Sequence, residues 1–382
     1  MNEYPFSIEE YQARLSRVRE RMAELTIDAL LVTVPENIFY LSGYRTTGYY
    51  VAQCLVIPLA GDPYFVVRNM ELSNVKTLSW LKDGYPVPDI ANFGDELASR
   101  IRDITEKGSR IGFEEQGFFL PSALLATIRN SLVDRKLVPT SGIVEQARKI
   151  KSLQELAYMS MAAKAADAGM EAGLEAIVAG RTENHVAGAA YLGMMLAGSE
   201  YPSSSPYVVT GPRSALGHST SERGVVKRGD VVYLEIGGCW FRYGAAIIRT
   251  VSVGRPTSEL QKAADTALGA LNAMLDFAKP GVSSGAVDAV GRGIVERAGL
   301  AKFWPHRAGY SIGIGFPPGW GEGHIIDLKP QDPRILEAGM TFHSVPVIYI
   351  PGLGAVGFSE TWTVTSAGAQ VLTNTARKLI AI

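Results

Sequence analysis

His218 and Glu235 are the side chains best placed by type and neighbours to carry a reaction. His218 stands in the polar run Gly217-His218-Ser219-Thr220-Ser221, between two apolar segments. An imidazole with an ordinary pKa near 6.5 can take and return a proton at neutral pH; the alternative is a surface or capping histidine. Glu235 interrupts the apolar run Val231 to Gly238. A carboxylate in such a strand is costly to bury unless donors or a cation satisfy it. It could attack an electrophilic amidine or amide carbon, or act as general base for water. The plainer alternative is a structural salt bridge, with Arg249 as the partner to expect. Tyr310 offers a phenol that could donate to a substrate carboxylate or a developing charge, or could simply be a satisfied core tyrosine. Trp320, in Pro317-Pro318-Gly319-Trp320-Gly321-Glu322, could lie against a planar cation or pack on the domain edge.

The elements that must position these groups follow from apolar periodicity. Ser7 to Glu10 reads as a capping box, and Tyr11, Leu15, Val18, Met22 and Leu25 continue it as one helical stripe. Strands are expected at residues 29–34, 54–59, 63–68 and 110–115, the second and third joined as a hairpin at Gly61-Asp62, with a helix at 121–132. Beyond the charged segment Arg148-Lys149-Ile150-Lys151-Ser152, an Ala-rich helix is expected over 153–178. Strands at 206–211, 231–240 and 245–253 come next, then helices at 258–279 and 285–298. Strands at 311–316, 340–350 and 361–365 complete the pattern. This predicts an α/β domain over 1–150 and an α+β domain over 151–382.

Composition narrows the function classes. The 382 residues carry 37 Lys plus Arg against 38 Asp plus Glu, so the concentrated positive face of a nucleic-acid or membrane-surface binder is not expected. Hydrophobic residues make up 47%, enough for two cores. Cys54 and Cys239 form no CxxC and read as buried thiols in a reducing compartment. Met1 to Glu10 is polar, and no apolar run reaches membrane-spanning length. A soluble, cytoplasmic enzyme is the expectation.

Several segments, in order, resemble the pita-bread hydrolases, the group that includes creatinase, proline dipeptidase and aminopeptidase P. They are Asn37 to Tyr44, Arg148 to Ser152 with Glu155, Gly217-His218-Ser219, Lys227 to Val232, Arg249-Thr250, Gly309 to Gly313, Leu336 to Met340 and Ser359-Glu360-Thr361. The resemblance implies an α+β fold: a C-terminal pita-bread domain preceded by an α/β creatinase-type N-terminal domain. It also implies a dinuclear metal centre held by two Asp, one His and two Glu. In this chain those positions are Glu235, Ala246, Tyr310, Val345 and Glu360. Alanine and valine offer no lone pair, so no metal and no other cofactor is expected.

The wording around Glu235, Arg242-Tyr243, Gly309 to Gly313, Pro317 to Glu322 and Gly339 to His343 is similar to the metal-free ectoine hydrolase-like branch, with His218 and Glu360 shared with creatinase. That resemblance favours Glu235 as nucleophile and makes Glu360 a third catalytic candidate, holding the substrate's cationic nitrogen. His343, beside a lost ligand position, becomes a pocket candidate with Tyr310 and Trp320. Arg45 and Tyr49 become candidates to reach a partner subunit's site in a homodimer. The leading expectation is metal-independent hydrolysis of a non-peptide C–N bond in an amidine-like or cyclic nitrogenous compound. An Xaa-Pro peptidase and a non-catalytic peptide- or partner-binding domain are the alternatives.

Overall fold

The computed structural model describes residues 4–382; the first three residues of the polar N-terminal stretch lie outside the described residues. Within residues 4–382 no helix is long and apolar enough to cross a membrane. The chain divides into two units, Met1–Arg148 and Lys149–Ile382.

The first unit is built on strands β1 (Ala29–Val32), β2 (Cys54–Pro58), β3 (Tyr64–Arg68), β4 (Gly84–Val87), β5 (Arg110–Phe113) and β6 (Lys136–Pro139). They form one sheet in the order β4-β3-β2-β1-β5-β6. The hairpin expected at Gly61-Asp62 is the antiparallel β2–β3 pair. Ser7 caps the helix Ile8–Glu24 by accepting from Glu10 N, while the Glu10 carboxylate pairs with Arg14 at 2.8 Å. Residues 37–42 lie in a short helix, Pro35–Ser42, that apolar periodicity did not show. Asn37 is its buried hub: its Nδ2 donates to Glu114 (2.6 Å) and Glu145 (2.8 Å), and its Oδ1 accepts from Arg148. Burial and the neighbouring Glu145 push the Glu114 carboxyl up to about 8. The Asn37–Tyr44 signature thus does structural work within this unit.

The second unit opens with the helix Leu153–Ala176, started by a complete Ser152/Glu155 capping box. Its sheet follows the path β17-β16-β13-β10-β9-β8-β7. These are β7 (Tyr207–Thr210), β8 (Val231–Trp240), β9 (Tyr243–Ser252), β10 (Gly309–Phe316), the short β11 (Gly319–Gly321) and β12 (Asp327–Leu328), β13 (Thr341–Ser344), β14 (Val347–Ile350), β15 (Gly354–Gly357), β16 (Glu360–Thr365) and β17 (Gly368–Val371). The helices Ser258–Phe277 and Ser284–Arg297 pack into a core that includes Leu271, Phe342 and Trp362. Helix Leu153–Ala176 approaches β8 so closely that a Cβ on Gly238 would meet the backbone of Ala162. One expectation is corrected. Residues 340–350 are not one strand: β13 belongs to the large sheet, whereas β14 pairs with β15. Pro346 lies between them and has no N–H to continue a ladder.

Candidate active site

Side chains alternate across a strand, and the register of β8 decides which residues meet. Glu235 stands opposite Ile248 on β9 and Tyr207 on β7; Leu234 stands opposite Arg249. Tyr233, Glu235 and Gly237 therefore share one face of β8, and Arg249 belongs to the other. This removes the alternative reading of Glu235 as a salt-bridge partner of Arg249.

The Glu235 face is the floor of a cavity of about 930 Å³ within the second unit. Its walls are Tyr207, Tyr233, Tyr310, Trp320 and Tyr349, with Ile248, Val345 and Val347 as apolar filler. Tyr233 donates its hydroxyl to Glu235 at 2.8 Å, the carboxylate's one hydrogen-bond partner among the described residues. Burial outweighs that bond and pushes the Glu235 carboxyl up to about 7. Burial, and after it the Glu235 charge, pushes the phenols of Tyr233, Tyr310 and Tyr349 up as well. Near neutral pH they are donors, not anions.

Trp320 closes one side. A Cβ on Gly237 would lie 2.9 Å from its ring, so the missing side chain two residues past Glu235 makes room for the indole. The indole N–H donates to Tyr310 Oη at 3.0 Å. Glu322, just beyond it, is buried and accepts from Lys151 Nζ (2.7 Å) and Ile314 N (3.1 Å), which anchors the Trp320 segment to the sheet.

His218 lines the cavity mouth, exposed, on a loop where its own φ is +60°. The buried Glu183 ties that loop down. One of its oxygens accepts from Thr210 N (2.8 Å), the other from Glu222 N (3.0 Å), Gly224 N (3.1 Å) and Arg213. Burial opposes its charge, yet Arg213 and these donors hold the Glu183 carboxyl below its ordinary value.

Four expected site residues are not among those that line the cavity. His343 is fully buried and does not line the cavity; its Nδ1 meets Tyr310 Oη at 3.0 Å and its Nε2 meets Ser359 Oγ at 2.6 Å. Burial pushes it down to about 3, so it is neutral and orients the Tyr310 hydroxyl rather than touching a substrate. Glu360 is also buried away from the cavity. It is paired with Arg249 at 2.7 Å, with Arg377 at 3.6 Å, and accepts from Thr373. A carboxylate so compensated is a structural ion pair, which corrects its expected role as a cation holder. Arg45 and Tyr49 belong to the first unit, where Arg45 donates to Gly43 O and Tyr49 packs edge-on against Phe119.

Several lining residues were not singled out from sequence: Tyr207, Tyr233, Tyr349, His306 and Arg307. Tyr233 carried a readable signal, two residues before Glu235 in a strand. His306-Arg307 directly precede the Gly309-Tyr310 segment. Tyr207 and Tyr349 arrive through pairing that no local pattern shows.

The five positions equated with metal ligands fail as a donor set. Glu235 is bonded to Tyr233, Glu360 to Arg249, and Tyr310 to Trp320 and His343, while Ala246 and Val345 offer nothing. Among the described residues, no group of three or more His, Cys, Asp or Glu side chains could hold a metal ion.

Comparison with known proteins agrees with this architecture. Residues 14–150 match the creatinase/prolidase N-terminal domain, and residues 157–366 match metallopeptidase family M24. The ectoine hydrolase of Halomonas elongata is 31% identical over 98% of each chain. An Xaa-Pro dipeptidase of Pyrococcus horikoshii is 26% identical over 96% of this chain and 98% of its own. The Xaa-Pro dipeptidase structure from Bacillus anthracis superimposes with a TM-score of 0.85 at 27% identity, covering 97% of this chain and all of that one. With its pita-bread C-terminal unit and creatinase-type N-terminal unit, the chain belongs to the M24 family of creatinase- and prolidase-related hydrolases.

Proposed function

We propose that this chain hydrolyses a non-peptide C–N bond in a small amidine-like or cyclic nitrogenous compound, without a metal, as an ectoine hydrolase-like enzyme. The observation that carries this reading is Glu235: a carboxylate raised to about 7, on the floor of a tyrosine-lined cavity, bonded among the described residues to Tyr233 alone. Such a group is poised to be deprotonated near neutral pH and is not engaged by a cation, so it is available to react. It attacks the amidine carbon, a ring C–N bond breaks as the departing nitrogen takes a proton, and water then releases the carboxylate from the covalent intermediate. In the alternative, it takes the proton of the water that attacks that carbon before the same C–N bond breaks. The hydroxyls of Tyr233 and Tyr310 are donors beside it for charge developing on the substrate. His218 at the mouth exchanges the proton with solvent. The identity to the Halomonas elongata protein supports ectoine as the first substrate to assay.

An Xaa-Pro dipeptidase is the second reading, favoured by the relatives of that name; the poor fit of the donor set to a metal weighs against it. We also keep a homodimer in the proposal, with Arg45 and Tyr49 reaching a partner's site. A fully active monomer in light scattering would remove that part. The test of the main reading is ring-opening of ectoine, with Gly-Pro as the peptide control. Turnover of ectoine and none of the dipeptide is expected; the reverse result would install the peptidase reading. A single turnover in H₂¹⁸O separates the two roles of Glu235. Label appearing in its carboxylate marks the nucleophile, as does a covalent adduct on Glu235 in rapid-quench mass spectrometry; label only in product with no such adduct marks the base.

A further inference from the structure

The cavity has a second charged end that the catalytic reading does not use. Arg307 and Lys329 both line it, with Asp327 between them. Arg307 Nε lies 3.2 Å from Asp327 Oδ1, and Lys329 Nζ lies 3.6 Å from Asp327 Oδ2. Two cations share one carboxylate, which leaves one positive charge uncompensated. The Asp327 carboxylate is largely buried, whereas both cations are about half exposed.

Arg307 is held in place on three sides. Asp327 pairs with its Nε by charge, although Asp327 Oδ1 itself has no hydrogen-bond partner among the described residues. The Tyr310 ring lies under it, 4.9 Å from the guanidinium carbon, and the backbone of Gly323 packs so near that a Cβ there would meet both Asp327 and the guanidinium. The two terminal nitrogens have no hydrogen-bond partner among the described residues. A planar guanidinium fixed at its back, with its fork free, is the geometry that takes a carboxylate through two parallel bonds.

Glu235, Tyr310 and Arg307 all line the same cavity, so it holds an anion and a cation together, with Arg307 against the Tyr310 ring. We infer that Arg307 is the specificity determinant for a substrate carboxylate, and that the cavity takes compact zwitterions, with a cationic nitrogen group at Glu235 and a carboxylate at Arg307. This deepens the hydrolytic reading of the cavity and rests on it.

The test is calorimetric binding of two probes, ectoine and its carboxamide, which share the amidinium ring and differ only in the carboxylate. The wild-type chain, Arg307→Met and Arg307→Lys are compared, with unfolding midpoints as the check on folding. Ectoine should bind the wild type at least about tenfold more tightly than the carboxamide, since hydrogen bonds to a charged group are lost in the latter. Arg307→Met should weaken ectoine by about ten- to a hundredfold and leave the carboxamide unchanged. Arg307→Lys should recover part of the loss, because it restores charge without the fork. Equal loss for both probes, no preference in the wild type, or no binding of ectoine would each overturn the inference. Arg307-dependent binding without turnover would instead contradict the proposed reaction and leave this inference standing. Turnover indifferent to Arg307 would do the opposite.

Discussion

Glu235 and Glu360 are strand carboxylates of the same sheet, and both occupy positions equated with metal ligands, yet their surroundings differ in one decisive respect. Glu360 has two guanidinium groups and a threonine hydroxyl around it and does not line the Glu235 cavity. Glu235 has a phenol beside it, no paired cation among the described residues, and a cavity. Burial costs a carboxylate its hydration in either place. At Glu360 the Arg249 guanidinium and the Thr373 hydroxyl offset part of that cost, although burial still holds the carboxyl above its ordinary value. At Glu235 the offset comes from the Tyr233 hydroxyl, and burial pushes the carboxyl up to about 7. The first arrangement is how a protein uses a charge for structure, and the second is how it keeps one ready for chemistry.

Three measurements break or sharpen that contrast. The largest effect is expected from Glu235→Gln, which keeps shape and removes the reactive lone-pair charge. Turnover should fall by about 10³-fold or more, while the unfolding midpoint barely moves. Glu360→Gln should do the reverse. It strands the buried Arg249 without its closest counterion, at a cost of about 3–5 kcal/mol in denaturant unfolding, and the folded fraction should turn over nearly normally. If Glu360→Gln silenced turnover in fully folded protein, the two carboxylates would have been assigned the wrong way round.

The third effect is smaller and follows from linkage. Glu235 has an ordinary value of 4.5 and is raised to about 7 in the fold. The folded state therefore holds a proton that the unfolded state has released between those values. Stability from this group is fully present below pH 4.5 and is lost as pH rises through about 7. The loss is at most on the order of 3 kcal/mol, and Glu235→Gln should abolish it. Over the same interval kcat/KM should rise, because only the deprotonated carboxylate reacts. A pH–stability curve identical in wild type and Glu235→Gln would show that the carboxyl is not raised.

The contrast was half legible in the sequence. A glutamate inside Val-Val-Tyr-Leu-Glu-Ile-Gly-Gly announces a strand and a costly carboxylate, and β8 spans Val231–Trp240 as the apolar run indicates. Missing donors at Ala246 and Val345 were equally plain, because side-chain chemistry needs no coordinates. What stayed hidden depended on register and on distant partners. That Arg249 faces away from Glu235 requires knowing that Leu234, not Glu235, stands opposite it. That Glu360 is already neutralised depends on side chains at 249, 373 and 377. His343 looked like a pocket residue because it neighbours a lost ligand position, and the strand pairing puts it behind Tyr310 instead. In the first unit, the signature around Asn37 was recognisable as a motif, but its work of joining Glu114, Glu145 and Arg148 spans more than a hundred residues of chain.

The central claim is that Glu235 reacts without help from a metal. It is tested most directly by measuring activity and metal content on one preparation, before and after exhaustive chelation. The account predicts that ectoine turnover stays constant while bound Mn, Co and Zn fall far below one per chain. Activity that disappears with the metal and returns when Mn²⁺ or Co²⁺ is added back would contradict it.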